Sequence, residues 1–411
     1  MNTTVVHPGD SLTPRQRLVY VLVLGALTAL GAFTIDLYLP AFPVIEGEFD
    51  VSTALVQLTL TATTIGFAVG QLLVGPWSDR VGRRLPLIFA TSIHVIASIG
   101  VALAPGIEWL FVFRVLQGVG AAAGGVVAMA IVRDLFGGLP LVRMLSRLSL
   151  VNGLAPILAP VIGSQLLLIM PWRGIFVFLA VYGGIVLLAA TFFLVETLPR
   201  ARRAGELGHS TTRERYRALF TDRIFVGVAV IAGMTFSGLF AYLSSSSFLF
   251  QQVYGLDAQQ FGLLFAINSI GVVGGVQASA FLTRFVPPQW ILAAALTVLL
   301  LAAGAIVILD ANGAGLVGIL VPLWFFIFAC GFTFPITQVL ALAHHGKEAG
   351  TAASLLGALN FGLAGAISPI VGLFGIDNAI PMGAIMGCAA LVSIIVLWTV
   401  VRPWTVPALS R

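Results

Sequence analysis

The chain has 411 residues, 59% of them hydrophobic and 9% charged, with a mean hydropathy of +1.05. A soluble domain carries about 25% charged residues, so a water-exposed globule is excluded and an all-α integral membrane protein is implied. The net charge of +5 does not point to nucleic acid, because nearly every Arg falls in alternate short loops, where it reports topology.

Residues 1–17 lack an Ala-x-Ala type cleavage site after a short apolar core, so they read as a cytoplasmic tail before a retained helix. Asn2-Thr3-Thr4 fits a glycosylation pattern that means nothing at a cytoplasmic end. The first apolar run, 18–40, holds Asp36 near its outer end, followed by Pro40 and Pro43, which end or bend the helix. A carboxylate inside the bilayer costs about 2.5–3.5 kcal/mol on insertion scales, and a chain keeps one mainly to bind something or carry a proton.

Further runs long enough to span fall at 53–74, 86–104, 109–132, 144–169 and 174–195. A second set of six falls at 224–250, 260–283, 289–309, 314–342, 351–374 and 379–401. The organisation is therefore a tail (1–17), a six-helix bundle (18–196), a cytoplasmic linker (197–223) with seven arginines, a second bundle (224–401) and a tail (402–411). Arg15, Arg17, Arg80, Arg83, Arg84, Arg143, Arg147, Arg284, Lys347 and Arg402 share the linker's side. Glu46, Glu48, Asp50, Glu108, Asp257, Asp310 and Asp377 take the other, with Arg173 the exception, which places both termini in the cytoplasm.

Ser146 to Gly163 and Ser354 to Gly372 repeat one pattern: Ser six residues before Asn, then Gly-Leu-Ala, then Pro and Gly. Phe361 is the insertion between them. Two pseudo-symmetric halves around a central site are the architecture of alternating-access transporters. Chance likeness of two Gly- and Ala-rich helices is the plainer alternative.

Arg114 is the second strongly ionising side chain inside the spans, and lies at a depth similar to Asp36 from the same side. The two are expected near each other, directly or through water, either for proton coupling or as an ion pair that orients two helices. Burial disfavours an ionised carboxyl and a guanidinium favours it, so changing either can load and release a proton. Asn152 is expected to face the cavity, while Gly153, Pro156, Pro160 and Gly163 bend and pack the fifth span.

The loop after the second span reads Gly75-Pro76-Trp77-Ser78-Asp79-Arg80-Val81-Gly82-Arg83-Arg84. Asp79 suits a helix N-terminus, with the start of the eleventh span near Thr351 as the candidate across the halves. Arg133-Asp134 is placed to pair with the loop's arginines. His94 reads as a structural histidine sooner than a proton relay, and His344-His345 lacks further metal ligands. Phe236, Phe240, Tyr242 and Phe248, beside Ser244 to Ser247, are candidates for a cavity wall, Phe240 first. Cys330 and Cys388 imply neither disulfide nor metal. Without a nucleophile–base pair, metal cluster or sizeable extramembrane domain, an enzyme or receptor is not expected, and no cofactor beyond a proton gradient is implied.

These motifs resemble the major facilitator superfamily over essentially the full length, and specifically its twelve-helix drug/proton antiporters. Gly75-Pro76-x-x-Asp79-Arg80-x-Gly82-Arg83-Arg84 resembles the superfamily's signature loop, and Arg114-x-x-Gln117-Gly118 its helix 4 motif, whose arginine is implicated in proton coupling. The fifth span resembles the antiporter motif, with Ala159-Pro160 and Gly163-Ser164 where Gly-Pro and Gly-Gly are usual. Ile35 to Pro43, Arg133-Asp134 and Glu196-Thr197-Leu198-Pro199 are similar to the bicyclomycin/chloramphenicol-resistance (Bcr/CflA) branch.

The resemblance implies that Leu60, Ala121, Asn152 and Phe240 join Asp36 in a drug cavity. Thr28 stands where some relatives carry a second acid, which favours neutral or weakly polar drugs. The expected protein is a monomeric drug:H+ antiporter of the bacterial inner membrane, with drug, protons and lipid as partners. A proton-coupled metabolite or nutrient transporter of the same fold is the alternative.

Overall fold

The computed structural model describes residues 8–198, 212–343 and 349–406. Residues 1–7 of the expected tail, linker residues 199–211, His344, His345, Lys347 and residues 407–411 lie outside the described residues. Among the described residues, twelve helices are long and apolar enough to cross a membrane. They are α1 (Pro14–Asp36), α2 (Thr53–Val81), α3 (Arg84–Ala102), α4 (Ile107–Leu135), α5 (Gly138–Ile169) and α6 (Trp172–Phe193). The second six are α7 (Arg223–Phe248), α8 (Ala258–Leu282), α9 (Pro288–Ala311), α10 (Gly315–Leu342), α11 (Ala349–Ile367) and α12 (Ile380–Val396).

Helix starts follow local chemistry. Thr13 and Gln16 form a reciprocal capping box at α1, and Asp257 and Gln260 form another at α8. The end of α1 is set by Pro40, which has no N–H for the carbonyl of Asp36 four residues back and would clash with it. The chain turns there and continues as a short helix, Phe42–Phe49. On the arginine-rich side, polar residues extend the helices beyond the apolar runs. Helix α2 continues to Val81 with Pro76 inside it, so the expected loop is mostly helix. Hydropathy marks where lipid ends, and hydrogen bonding carries the helix on into water.

The halves repeat one packing scheme. In the first, α2 packs on α4, α3 on α4 and α6, and α1 on α4, α5 and α6. In the second, α8 packs on α10, α9 on α10 and α12, and α7 on α10, α11 and α12. The seam is made by α2 against α11 and, symmetrically, α5 against α8. Within each half small residues permit close packing: a Cβ on Gly118 of α4 would lie 3.1 Å from Gly66 Cα of α2, and one on Gly275 of α8 3.0 Å from Gly331 Cα of α10.

Candidate functional site

Asp36 is the final residue of α1, with 5% of its surface exposed. Its Oδ1 has no hydrogen-bond partner among the described residues. An unpaired carboxyl in an apolar bundle is held there by the helix that carries it, so the packing of α1 decides what it meets.

Arg114 does not pair with Asp36. Its Nη1 donates to the Thr34 carbonyl (2.9 Å) and to Gln117 Oε1 (2.6 Å), and its guanidinium lies over the Tyr38 ring at 4.0 Å. The reason is helical phase. The Thr34 hydroxyl bonds His94 Nε2 (2.9 Å), so this face of α1 looks at α3 and α4. Asp36, two residues on, projects about 200° around the helix. Arg114 instead caps the last turn of α1, filling a carbonyl with no intrahelical donor and placing a cation at the negative end of the helix dipole. Gln117 passes the network to Ser98 (2.8 Å), which donates to the His94 carbonyl (2.7 Å). His94 therefore belongs to the scaffold behind the acid.

Of the expected cavity residues, Leu60, Ala121 and Phe240 are buried. Asn152 is exposed, on the face of α5 opposite the exposed stripe Leu150, Leu154 and Leu158. Its neighbours Val151 and Gly153 abut Gly25 of α1 and Val273 of α8, so Asn152 opens on interior space between them. Its counterpart Asn360 has a buried Oδ1 without a partner among the described residues, as do Thr61 and Thr235 at Oγ1.

Phe361 went unassigned in the sequence. Its ring stacks on Phe67 of α2 (4.9 Å between centroids) and meets Phe236 (5.1 Å) and Phe240 (6.2 Å) edge-on. Phe236 also meets Phe334 of α10 at 6.0 Å. Its place as the residue inserted into the repeat was the available signal.

At the arginine-rich side, the α2–α3 junction is tied into its own half. Arg83 bonds Asp79, Asp134 Oδ2 (2.9 Å) and Ser78 Oγ (3.0 Å). The expected pairing of Asp134 with this stretch is present. Asp79 bonds Arg83, one helical turn away, and among the described residues no bond joins it to the start of α11. Burial works against the Arg83 charge, but its bonds to Asp134 and Asp79 and their negative charge outweigh it and hold the group above its ordinary value. Glu196 accepts from the backbone N–H groups of Arg83 (2.9 Å) and Arg84 (3.2 Å), capping α3. Gly82 takes φ 111° between the two helices, a region that favours glycine. Arg80 and Arg133 are exposed, and Gly75, Pro156 and Pro160 lie within helices. A Cβ on Gly163 would meet the Leu37 backbone, which explains the close approach of α5 to the end of α1.

At the acidic side, glutamine amides cross the seam. Gln57 donates to the Ser244 carbonyl (3.1 Å), Gln251 to the Pro40 carbonyl (3.1 Å), Gln252 to Glu46 (2.7 Å) and Gln259 to the Ser164 carbonyl (3.0 Å). Phe42 and Phe248 meet beside them at 5.6 Å. The halves are thus clasped on the acidic side of Asp36.

Two pseudo-symmetric six-helix halves around a buried carboxyl define a multi-pass membrane transporter of small molecules. Residues 22–369 match the family model of the Major Facilitator Superfamily, and the chain belongs to that superfamily. It is 36% identical to a Bacillus subtilis protein named uncharacterized MFS-type transporter YdgK, covering 92% of this chain and 94% of that one. It is 28% identical to the bicyclomycin resistance protein homolog of Haemophilus influenzae, covering 93% and 96%. Among solved structures, a partially occluded inward-open xylose transporter XylE from E. coli matches with a TM-score of 0.74 at 13% identity, covering 96% of this chain and 98% of that one. That last likeness concerns the fold alone.

Proposed function

We propose that this protein is a drug:H+ antiporter that exports amphiphilic neutral or weakly polar compounds, of the chloramphenicol or bicyclomycin kind, from the bacterial cytoplasm. The observation that carries the reading is the unpartnered Asp36 carboxyl, buried in a bundle whose seam is lined by the phenylalanines around Phe361. Rings supply apolar area that accepts many shapes, and a single acid supplies one exchangeable charge. The bicyclomycin-resistance name of one relative supports the substrate class.

In this reading the arginine-rich side faces the cytoplasm of an inner-membrane monomer, and both termini lie there. Protonation of Asp36 from outside favours drug release and return of the carrier. Deprotonation toward the cytoplasm readmits drug. Arg114 serves the cycle by fixing the end of α1. Ligand and proton need only prefer different access states by a few kcal/mol. The gradient supplies about 1.4 kcal/mol per pH unit, plus roughly 2.3 per 100 mV for each net charge moved, and no cofactor is required.

The test is a resistance screen across drug classes with wild type and Asp36→Asn, followed by uptake of the best drug into everted vesicles with an acidified lumen. Wild type is expected to concentrate drug in the lumen until a protonophore is added, and Asp36→Asn is expected not to. Equal accumulation with the same pH dependence in both sinks the coupling role. Solute moving with the proton identifies a symporter.

A further inference from the structure

Tyr242 lies on α7 with 2% of its surface exposed, stacked on Phe265 of α8 at 5.7 Å between centroids. Its hydroxyl oxygen accepts a buried 3.1 Å bond from Asn268 Nδ2. Accepting that bond leaves the hydroxyl hydrogen available to donate.

The register of three helices brings this hydroxyl to the level of Asp36. On α2, Gln57 bonds the Ser244 carbonyl (3.1 Å), while Thr59, two residues along, bonds the Tyr38 hydroxyl (3.0 Å). Two residues of α2, about 3 Å apart along its axis, therefore touch position 244 of α7 and the Tyr38 hydroxyl at similar depth. Helices α1 and α7 run in the same direction, each being the first of its half. Two residues inward of those points lie Asp36 and Tyr242. Tyr38 is occupied by Thr59 beneath Arg114.

We propose that Tyr242, oriented by Asn268, is the group of the C-terminal half that donates a hydrogen bond to the ionised Asp36 carboxylate and so senses its protonation across the seam. The tyrosine keeps its hydrogen throughout. An ionised Asp36 draws the hydroxyl and holds the halves together at this level, and a protonated one releases it. Cargo that offers Asp36 its own donor competes with Tyr242, which makes the tyrosine a specificity-determining residue as well. This rests on Asp36 exchanging a proton, as proposed above.

Other titratable groups stand near the acid. Arg114 of α4 bonds the Thr34 carbonyl through Nη1, with Nε and Nη2 unpartnered among the described residues, His94 of α3 bonds the Thr34 hydroxyl through Nε2, and Tyr182 of α6 donates to the Ala26 carbonyl (2.8 Å). Arg143 and Arg147 of α5 and Arg173 of α6 lie toward the membrane faces, and α8 has no titratable side chain.

The test reads the protonation of Asp36 without any drug. Dicyclohexylcarbodiimide labels protonated carboxyls in apolar sites, and mass spectrometry of the purified full chain follows the Asp36 peptide from about pH 5 to about 9. Asp36→Asn sets the blank. Tyr242→Phe is expected to move the labelling midpoint up by about one pH unit, because a bond favouring the ionised form is lost. Asn268→Ala should shift it the same way by less, while Tyr38→Phe leaves it in place.

Midpoints unchanged in both Tyr242→Phe and Asn268→Ala overturn the proposal, as does absence of Asp36 labelling in wild type across the range. If Tyr242→Phe fails to fold, Asn268→Ala decides. Shifted midpoints in a protein that moves no drug against a proton gradient would refute the antiport reading and leave the Tyr242 contact standing.

Discussion

Arg114 of α4 meets the last turn of α1 on a different face from Asp36: the guanidinium holds the Thr34 carbonyl, while the carboxyl projects about 200° away. The two charges are thus coupled through a helix end instead of a salt bridge. This arrangement separates the group that changes charge from the group that keeps the helix in place.

Arg114→Lys tests that division. Lysine keeps the charge but replaces the planar guanidinium, whose Nη1 bonds both Thr34 and Gln117 while the plane lies over the Tyr38 ring, with a compact ammonium. Each bond to a charged donor is worth about 1.5–3 kcal/mol, so losing one should lower the melting temperature of the detergent-solubilised protein and cut efflux at least about tenfold. Gln117→Leu should reproduce much of the loss while leaving every charge in place.

Phe361→Ala removes the ring that stacks on Phe67 and meets Phe236. Aromatic pairs contribute about 0.5–1.5 kcal/mol beyond area burial, so the KM for a bulky apolar drug should rise about three- to tenfold. Phe361→Tyr should stay near wild type. Concentration-dependent uptake in vesicles separates KM from Vmax.

The glutamine clasp predicts a shift in access. Loss of a neutral hydrogen bond is worth about 1 kcal/mol, or roughly a fivefold change in an equilibrium. Gln57→Leu combined with Gln251→Leu should therefore favour the state open at the acidic side. With Cys330 and Cys388 replaced by serine, a Val56→Cys probe at this buried position should react faster with a membrane-impermeant maleimide added from that side. An unaltered rate would show that these bonds do not hold the seam.

Gly82→Ala forces a side chain onto φ 111° and should cost on the order of 1–3 kcal/mol of stability. Glu196→Gln weakens the cap on α3 and should lower the melting temperature further, read by thermal unfolding in detergent.

Much of this was legible in the sequence because lipid imposes simple rules. Asp36, Arg114, the twelve apolar runs and the arginine asymmetry each follow from the expense of polar groups in hydrocarbon. What sequence could not resolve was direction around a helix axis. Matched depth suggested a pair of Asp36 with Arg114, but a two-residue offset from Thr34 sends the acid elsewhere. The Asp79–Arg83 bond was hidden for a similar reason: Arg83, four residues on, supplies a local partner that no apolar pattern records. The seam glutamines were missed because an isolated Gln in a polar turn has no signature until a carbonyl from the other half lies opposite.

The extra residue at Phe361 has a geometric outcome. One added residue advances a helix by about 100°, putting the two copies of the repeated motif out of phase from that point onward. The repeat also breaks at Ser368–Pro369, beyond which Gly372 sits in a separate short helix, Ile370–Leu373, and the final glycine of each copy meets a different wall. Gly163 abuts Leu37 inside its own half, whereas a Cβ on Gly372 would come 2.9 Å from Ala54 Cα in the opposite half. The duplicated bundle is therefore asymmetric where it closes, with one copy bracing a half internally and the other latching onto its neighbour, so rocking open at the acidic face must part Gly372 from α2 while leaving Gly163 in contact.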